Sequence, residues 1–178
     1  MSAKSDSKSD VVVKLPIGSL RDLSGHPYKV RDDEAMRETA ESVKTFGVLV
    51  PIIVRPCDGG GYEIISGHRR KRACELVGID AMPAIVRDLD DDAATIVMVD
   101  SNLQRENVLP SERAQAYKMK LEALRRQAGR KAKENSVQVG QNSESRTSRE
   151  ILAENSQDSS TQIQRYIRLT ELAPELQE

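Results

Sequence analysis

Four short apolar runs rich in β-branched residues fall between residues 11 and 86: Val11-Val-Val-Lys-Leu-Pro16, Val48-Leu-Val-Pro-Ile-Ile-Val54, Tyr62-Glu-Ile-Ile65 and Pro83-Ala-Ile-Val86. Each has the length of a strand, and the second is continuously apolar, as a buried strand is. Helical patterns separate them. Asp32-Asp33 offers an N-cap; Met36, Ala40 and Val43 then recur at helical spacing, and Gly47 stands where glycine ends a helix. Asp58-Gly-Gly-Gly61 reads as a hairpin-like turn, and Arg69 to Val77 as a helix ended by Gly78. Asp90–Asp92 cap a helix through Ala93, Ile96, Val97 and Asp100. Residues 17–31, holding Gly18, Gly25 and Pro27, read as loop. Strands alternating with helices in this way make the first part of the chain an α+β fold.

Beyond residue 108 the patterns are helical only. Val108-Leu-Pro110 opens a long helix with proline at the tolerated first turn. Its apolar stripe is Ala114, Tyr117, Leu121 and Leu124, and it is expected to end near Gly129. Residues 129–147 are polar and without period, a linker or flexible loop. Ser148–Glu154 and Thr161–Leu172 read as two short helices joined by an Asp158-Ser-Ser160 turn and cap. The expected plan is a disordered tail over 1–10, an α+β domain over 11–108, and an all-α domain over 109–178. The last of these would hold a helix-turn-helix at about 148–172.

Composition narrows the function. Aromatics are 3% of the 178 residues, with no Trp and one Phe, which argues against modules that stack bases on aromatic platforms. Net charge is −1, but the charge is uneven. Residues 80–100 hold six Asp against Arg87 alone, whereas residues 105–149 hold eleven bases and five acids. Such asymmetry marks either a nucleic-acid-facing segment or a solvated helix face. Cys57 and Cys74 make neither a disulfide framework nor a zinc site, and read as two reduced cytosolic thiols. No apolar run is long enough to span a bilayer, and residues 1–10 lack the apolar stretch of a signal peptide. The expectation is a cytoplasmic protein with no membrane partner. His26, in a loop beside Pro27, is given no role.

Three clusters carry candidate chemistry. In Ile64-Ile65-Ser66-Gly67-His68-Arg69-Arg70-Lys71-Arg72 a strand runs into a glycine, and a helix begins there with consecutive bases. A helix start presents unpaired N–H groups and positive dipole, glycine admits close approach, and arginines grip phosphate oxygens bidentately. The cluster reads equally as a phosphate site or as a basic surface helix after a tight turn. The second is Asp100-Ser-Asn102-Leu103-Gln104-Arg105-Glu106-Asn107. Asn102 could present an oxygen to Mg²⁺ and Arg105 could reach a phosphate, but the plainer reading is helix caps. The third is the helix pair around Ser159-Ser160. If it is a helix-turn-helix, Ile163, Ile167 and Tyr166 face the core. Ser160, Thr161, Gln162, Gln164, Arg165 and Arg168, with Ser159, then face the major groove, where Gln pairs with adenine and Arg with guanine. An ordinary helical hairpin is the alternative.

The order of these motifs resembles the ParB/RepB family of chromosome and plasmid partition proteins. Gly47-Val-Leu-Val-Pro51-Ile-Ile-Val54-Arg55 is similar to the family's first box. Gly67-His-Arg-Arg-Lys-Arg-Ala73 is similar to the second, usually Gly-Glu-Arg-Arg-x-Arg-Ala. Ser101-Asn-Leu-Gln-Arg105-Glu106 is similar to a third, usually Glu-Asn-Leu-Gln-Arg, and the helix pair follows where the family carries its helix-turn-helix. The resemblance covers roughly residues 11–178. It implies a ParB/sulfiredoxin-like N-terminal fold that binds CTP with Mg²⁺ and a helix-turn-helix that reads a centromere-like site in double-stranded DNA. It further implies a homodimeric clamp switched by the nucleotide, a ParA-type ATPase as partner, and a place on the nucleoid. Carried over by position, Gly67, His68, Arg69, Arg70 and Arg72, with Asn102, Gln104 and Arg105, form the nucleotide site, with Asn102 nearest the metal.

Two positions depart from the family pattern. Its glutamates are replaced by His68 and Ser101 here. Two lost carboxylates remove metal- or water-orienting groups, which leaves CTP hydrolysis open while the arginines keep phosphate binding. Ser66-Gly67-His68-Arg69 also echoes sulfiredoxin's Gly-Cys-His-Arg turn, without its cysteine. The remaining alternatives are a transcriptional regulator without nucleotide switching and a nuclease- or kinase-like enzyme on the same fold. Family members continue with further helices and a dimerisation domain, so truncation after Glu178 is the expectation.

Overall fold

A computed structural model describes residues 11–171 apart from 24, 26, 29, 104–107, 135–147, 155 and 157. The tail over 1–10, Gln104, Arg105, most of the expected linker and the end of the last expected helix therefore lie outside the described residues. The chain divides into two compact units, residues 1–88 and 89–178.

The first unit is a five-stranded mixed sheet carrying two helices. Its strands are β1 (Val12–Pro16), β2 (Leu20–Asp22), β3 (Ile52–Pro56), β4 (Tyr62–Ser66) and β5 (Ala81–Val86), in the order β1-β5-β3-β4-β2. Its helices are α1 (Glu34–Phe46) and α2 (His68–Val77). The β-branched runs supply β1, β3, β4 and β5. β3 lies in the middle, parallel to β5 and antiparallel to β4. Burial alternates along it, with Ile52 and Val54 fully enclosed and their neighbours only partly so, the period-2 signature of one covered face. Met36, Ala40 and Val43 of α1 and Ala73 and Cys74 of α2 complete that core. Burying a side chain such as Ile52 contributes about 1.5–3 kcal/mol. Asp33 caps α1 by accepting from the Met36 N–H at 2.9 Å, and Gly47 ends it.

Residues 17–22 are not loop. Ile17–Ser19 form a 3-10 turn, and Leu20–Asp22 pair parallel to β4 as an edge strand. Three residues are too few to show alternation, and only the pairing with β4 reveals them. β4 carries a bulge opposite Ile53 and Val54, so Ile64 and Ile65 are both buried and the strand's end is re-aimed toward Gly67.

The second unit is all-helical over its described residues: α3 (Asp91–Leu103), α4 (Pro110–Glu134), α5 (Ser148–Glu154) and α6 (Ser160–Leu169). The expected domain boundary after residue 108 differs from the compact units, which part between 88 and 89. The reason is ionic as well as apolar. Buried Asp92 of α3 pairs with Arg126 and Arg130 of α4, and Lys120, 1% exposed, pairs with Asp100. The same contacts explain why Gly129 does not end α4. A mid-helix glycine costs about 1 kcal/mol relative to alanine, and arginines on either side of it are tied to Asp92 and Asp90. α5 and α6 pack on α4 through Tyr117, Leu121, Leu152 and Ile163, with Tyr166 and Ile167 at the margin. Among the described residues no helix is long and apolar enough to cross a membrane.

Candidate functional site

The Gly67 turn is built by three local requirements. Gly67 has φ 115° and ψ 21°, which side chains on Cβ disfavour. A Cβ placed there would lie 2.4 Å from Ile52 Cγ2 and 3.0 Å from Ile52 Cβ. The backbone therefore presses directly on the central strand. α2 starts at His68 with no side-chain cap and no acid in its first turn. Acidic groups normally complement the positive end of a helix dipole. Here bases take those places, and acids from other elements face them.

Each base is engaged with the fold. Arg69 lies 3.9 Å from Asp33. Arg70 donates at 2.6 Å to each of the Val50 and Pro51 carbonyls, fastening the entry to β3, and burial lowers its pKa from the ordinary arginine value. Lys71 reaches Asp22 at 3.4 Å and Glu75 at 3.8 Å. Arg72 forks onto Asp32, with bonds of 2.6 and 3.0 Å, and touches Glu75 at 3.2 Å. The hydrogen bond from Arg72 holds the Asp32 carboxyl below the usual carboxylate range, and the pair raises Arg72. His68 is 9% exposed, with Nε2 4.0 Å from Asp22 Oδ1. The edge strand that sequence reading missed thus delivers Asp22 to the start of α2.

Asn102 belongs to the second unit. Its amide donates to the Met98 carbonyl at 2.8 Å and to Ser101 Oγ at 3.3 Å, while Ser101 donates to the same carbonyl at 2.9 Å. Both side chains close the end of α3. Among the described residues no three His, Cys, Asp or Glu stand together as a metal group would require. The Mg²⁺ role expected for Asn102 would fall to its amide oxygen, since the amide nitrogen is spent on the Met98 carbonyl and Ser101. Both cysteines are free; Cys74 is buried, and burial first, then Glu75, pushes its thiol up, as in a structural thiol.

The α6 face is the second candidate site. Ser159, Ser160, Thr161, Gln162, Gln164, Arg165 and Arg168 are exposed, while Ile163 is buried. Ser159 and Gln162 form a capping box. Ser159 Oγ accepts from the Gln162 N–H at 3.3 Å, and Gln162 Oε1 accepts from the Ser159 N–H at 2.9 Å. These two side chains are therefore occupied in starting the helix, while Ser160, Thr161, Gln164, Arg165 and Arg168 are the other exposed side chains of the expected set.

The family model for the ParB N-terminal domain matches residues 1–103, through the end of α3. The chain belongs to the ParB N-terminal domain family. Its first unit is accordingly the ParB-type α+β fold. The chromosome-partitioning protein Spo0J of Thermus thermophilus is 41% identical over 111 residues, 62% of this chain. That match takes in 41% of the Thermus protein, so this ParB-family chain spans well under half of such a relative. Two solved structures of a C-terminally truncated ParB from Caulobacter crescentus are similar at 27% identity over 93% of this chain. One is complexed to the centromeric parS site, with TM-score 0.61 over 75% of that chain. The other is complexed with CTP-gamma-S, with TM-score 0.50 over 81% of that chain.

Proposed function

We propose that this ParB-family chain is a partition protein that binds a nucleoside triphosphate, CTP by family, at the Gly67 turn and reads a centromere-like DNA site with α6. The observation that carries the reading is the turn itself: an uncapped, base-bearing helix start pressed against the central strand. Similarity to proteins solved with parS DNA and with CTP-gamma-S supports it.

The chemistry follows from the contacts. N–H groups at the start of α2 and the close glycine backbone receive phosphate oxygens. Arg69 and Arg72 exchange Asp33 and Asp32 for the ligand. Arg70 fixes the loop at Val50 and Pro51 that borders the turn, and offers its remaining donors. Bound triphosphate and DNA then favour a closed homodimeric clamp on DNA, with a ParA-type ATPase as partner and the nucleoid, in the cytoplasm, as location. Hydrolysis is the weakest part of the family pattern here, because His68 and Ser101 stand at its carboxylate positions.

Thermal unfolding with and without CTP and Mg²⁺ tests the reading. CTP at saturating excess should raise the melting temperature, and Arg70→Ala should abolish the rise. No rise with any nucleoside triphosphate would sink the nucleotide switch and leave a DNA-binding regulator.

A further inference from the structure

We infer that Asp158 is the positioning residue of the DNA-reading helix. Held by Tyr117 and Arg113 of α4, its carboxylate fixes the N-terminal end of α6 and so sets which bases the outward side chains meet. This rests on α6 being the DNA-reading element.

Asp158 immediately precedes the Ser159 cap. Its Oδ2 accepts from the Tyr117 hydroxyl at 2.5 Å and from Arg113 Nη1 at 3.2 Å. The carboxylate is 14% exposed and the arginine 23%, so the bonds are partly shielded from water. The same two α4 residues hold α6 a second time. The Arg113 guanidinium carbon lies 5.7 Å from the Tyr166 ring centroid, and the Tyr117 and Tyr166 rings stand 6.0 Å apart at 38°. Residues one helical turn apart on α4 therefore grip α6 at its entry and in its second turn. Ile163 packs in the apolar cluster between them.

Apolar packing alone lets a helix slide or roll, because it is not directional. Two hydrogen bonds to one carboxylate at the helix entry are directional. Base reading by side chains such as Gln164 and Arg165 needs that precision, since recognition geometry tolerates only about 0.5 Å or 10–20°. Phosphate contacts are less demanding and carry no sequence information. Loosening the Asp158 anchor should thus lower discrimination while preserving general DNA affinity. A residue needed only for folding would lower both together.

The test uses the 178-residue chain and a random-sequence duplex pool, from which its preferred duplex is selected. Dissociation constants for that duplex and a scrambled one are compared at fixed salt, with circular dichroism to verify folding. Asp158→Asn and Tyr117→Phe, which keep side-chain volume, should each weaken the preferred duplex about tenfold, the scale of one base contact. Each should change the scrambled duplex less than about threefold, and the double variant should be no worse than either single one. Equal losses on both duplexes would overturn the proposal, as would no loss while Arg165→Ala lowers discrimination. If Arg165→Ala leaves discrimination intact, or the pool yields no preferred duplex, the DNA-reading assignment of α6 falls and the proposal falls with it.

Discussion

Replacing Gly67 by alanine probes the geometry on which the nucleotide reading stands. At φ 115° the backbone is unfavourable for any residue with a Cβ, a cost of about 1–3 kcal/mol. The added methyl would sit 2.4 Å from Ile52 Cγ2. Ile52 is fully buried on the central strand and cannot swing away, so overpacking adds roughly 1–3 kcal/mol. The two terms together are a large share of the ~5–15 kcal/mol that holds a domain folded. Gly60 isolates the first term: its φ is 92°, and an added Cβ meets nothing within 4 Å. Gly67→Ala should therefore cost about 1–3 kcal/mol more than Gly60→Ala. In a cycle with Ile52→Ala, which removes the clashing methyl, the two costs should fall short of additive by at least about 1 kcal/mol. Urea unfolding followed by circular dichroism gives the totals. Hydrogen exchange at β3 and β4 amides gives the local value, since a chain of two units need not unfold in one step. Equal costs at Gly67 and Gly60, with an additive cycle, would refute the close-approach argument.

Asp32→Asn removes the carboxylate onto which Arg72 forks, and should tighten binding of tripolyphosphate in calorimetry; weaker binding would show that Asp32 orients Arg72 instead of competing for it. Burial, then the bond to Asp158, raises the Tyr117 phenol well above its ordinary value. The neutral phenol's stabilisation is thus complete below the unfolded pKa of about 10 and fades as pH rises toward the folded value. Stability above pH ~10 should fall less steeply in Tyr117→Phe, and an unchanged slope would remove this phenol from the alkaline transition. Restoring the family carboxylates with His68→Glu and Ser101→Glu should raise CTP turnover measured by phosphate release, and an unchanged rate would show that these positions do not limit it.

What could be read from residues alone divides by range. β3, β4 and β5 were legible because their β-branched runs are local, and α1 because Asp33 and Gly47 mark its ends. The outward face of α6 was legible because Ile163, Tyr166 and Ile167 fix its period. β2 was not, since Leu20-Arg21-Asp22 acquires its identity only by pairing with Tyr62–Ile64. The end of α4 was misplaced because Gly129 is a local signal overruled by ion pairs that cross to α3. Tyr117 entered as one member of an apolar stripe. Its phenol was the missed clue, because a buried hydroxyl needs a partner and Asp158 supplies it. Ser159 and Gln162, expected to face bases, also have the i, i+3 spacing of a capping box, which was not read and which the structure forms.

The charge of the basic box shows why the long-range part matters for function. In sequence, residues 69–72 form an uninterrupted cationic run that suggests an open patch. In the fold, Asp33, Asp22 and Asp32 come from β2 and the start of α1 to face Arg69, Lys71 and Arg72. On the proposed reading, an anion arriving at this turn does not meet bare arginines; it has to replace carboxylates already there. Such an exchange keeps each guanidinium paired throughout, so the gain is the difference between phosphate and carboxylate contacts, plus the N–H groups of α2 that the carboxylates do not use. That difference grows with the number of phosphate oxygens that can be gripped at once. If the turn is the nucleotide site proposed above, it should favour polyphosphates over single phosphates: binding should strengthen from phosphate to pyrophosphate to tripolyphosphate. In Asp32→Asn the steps of that series should flatten as its first member gains most.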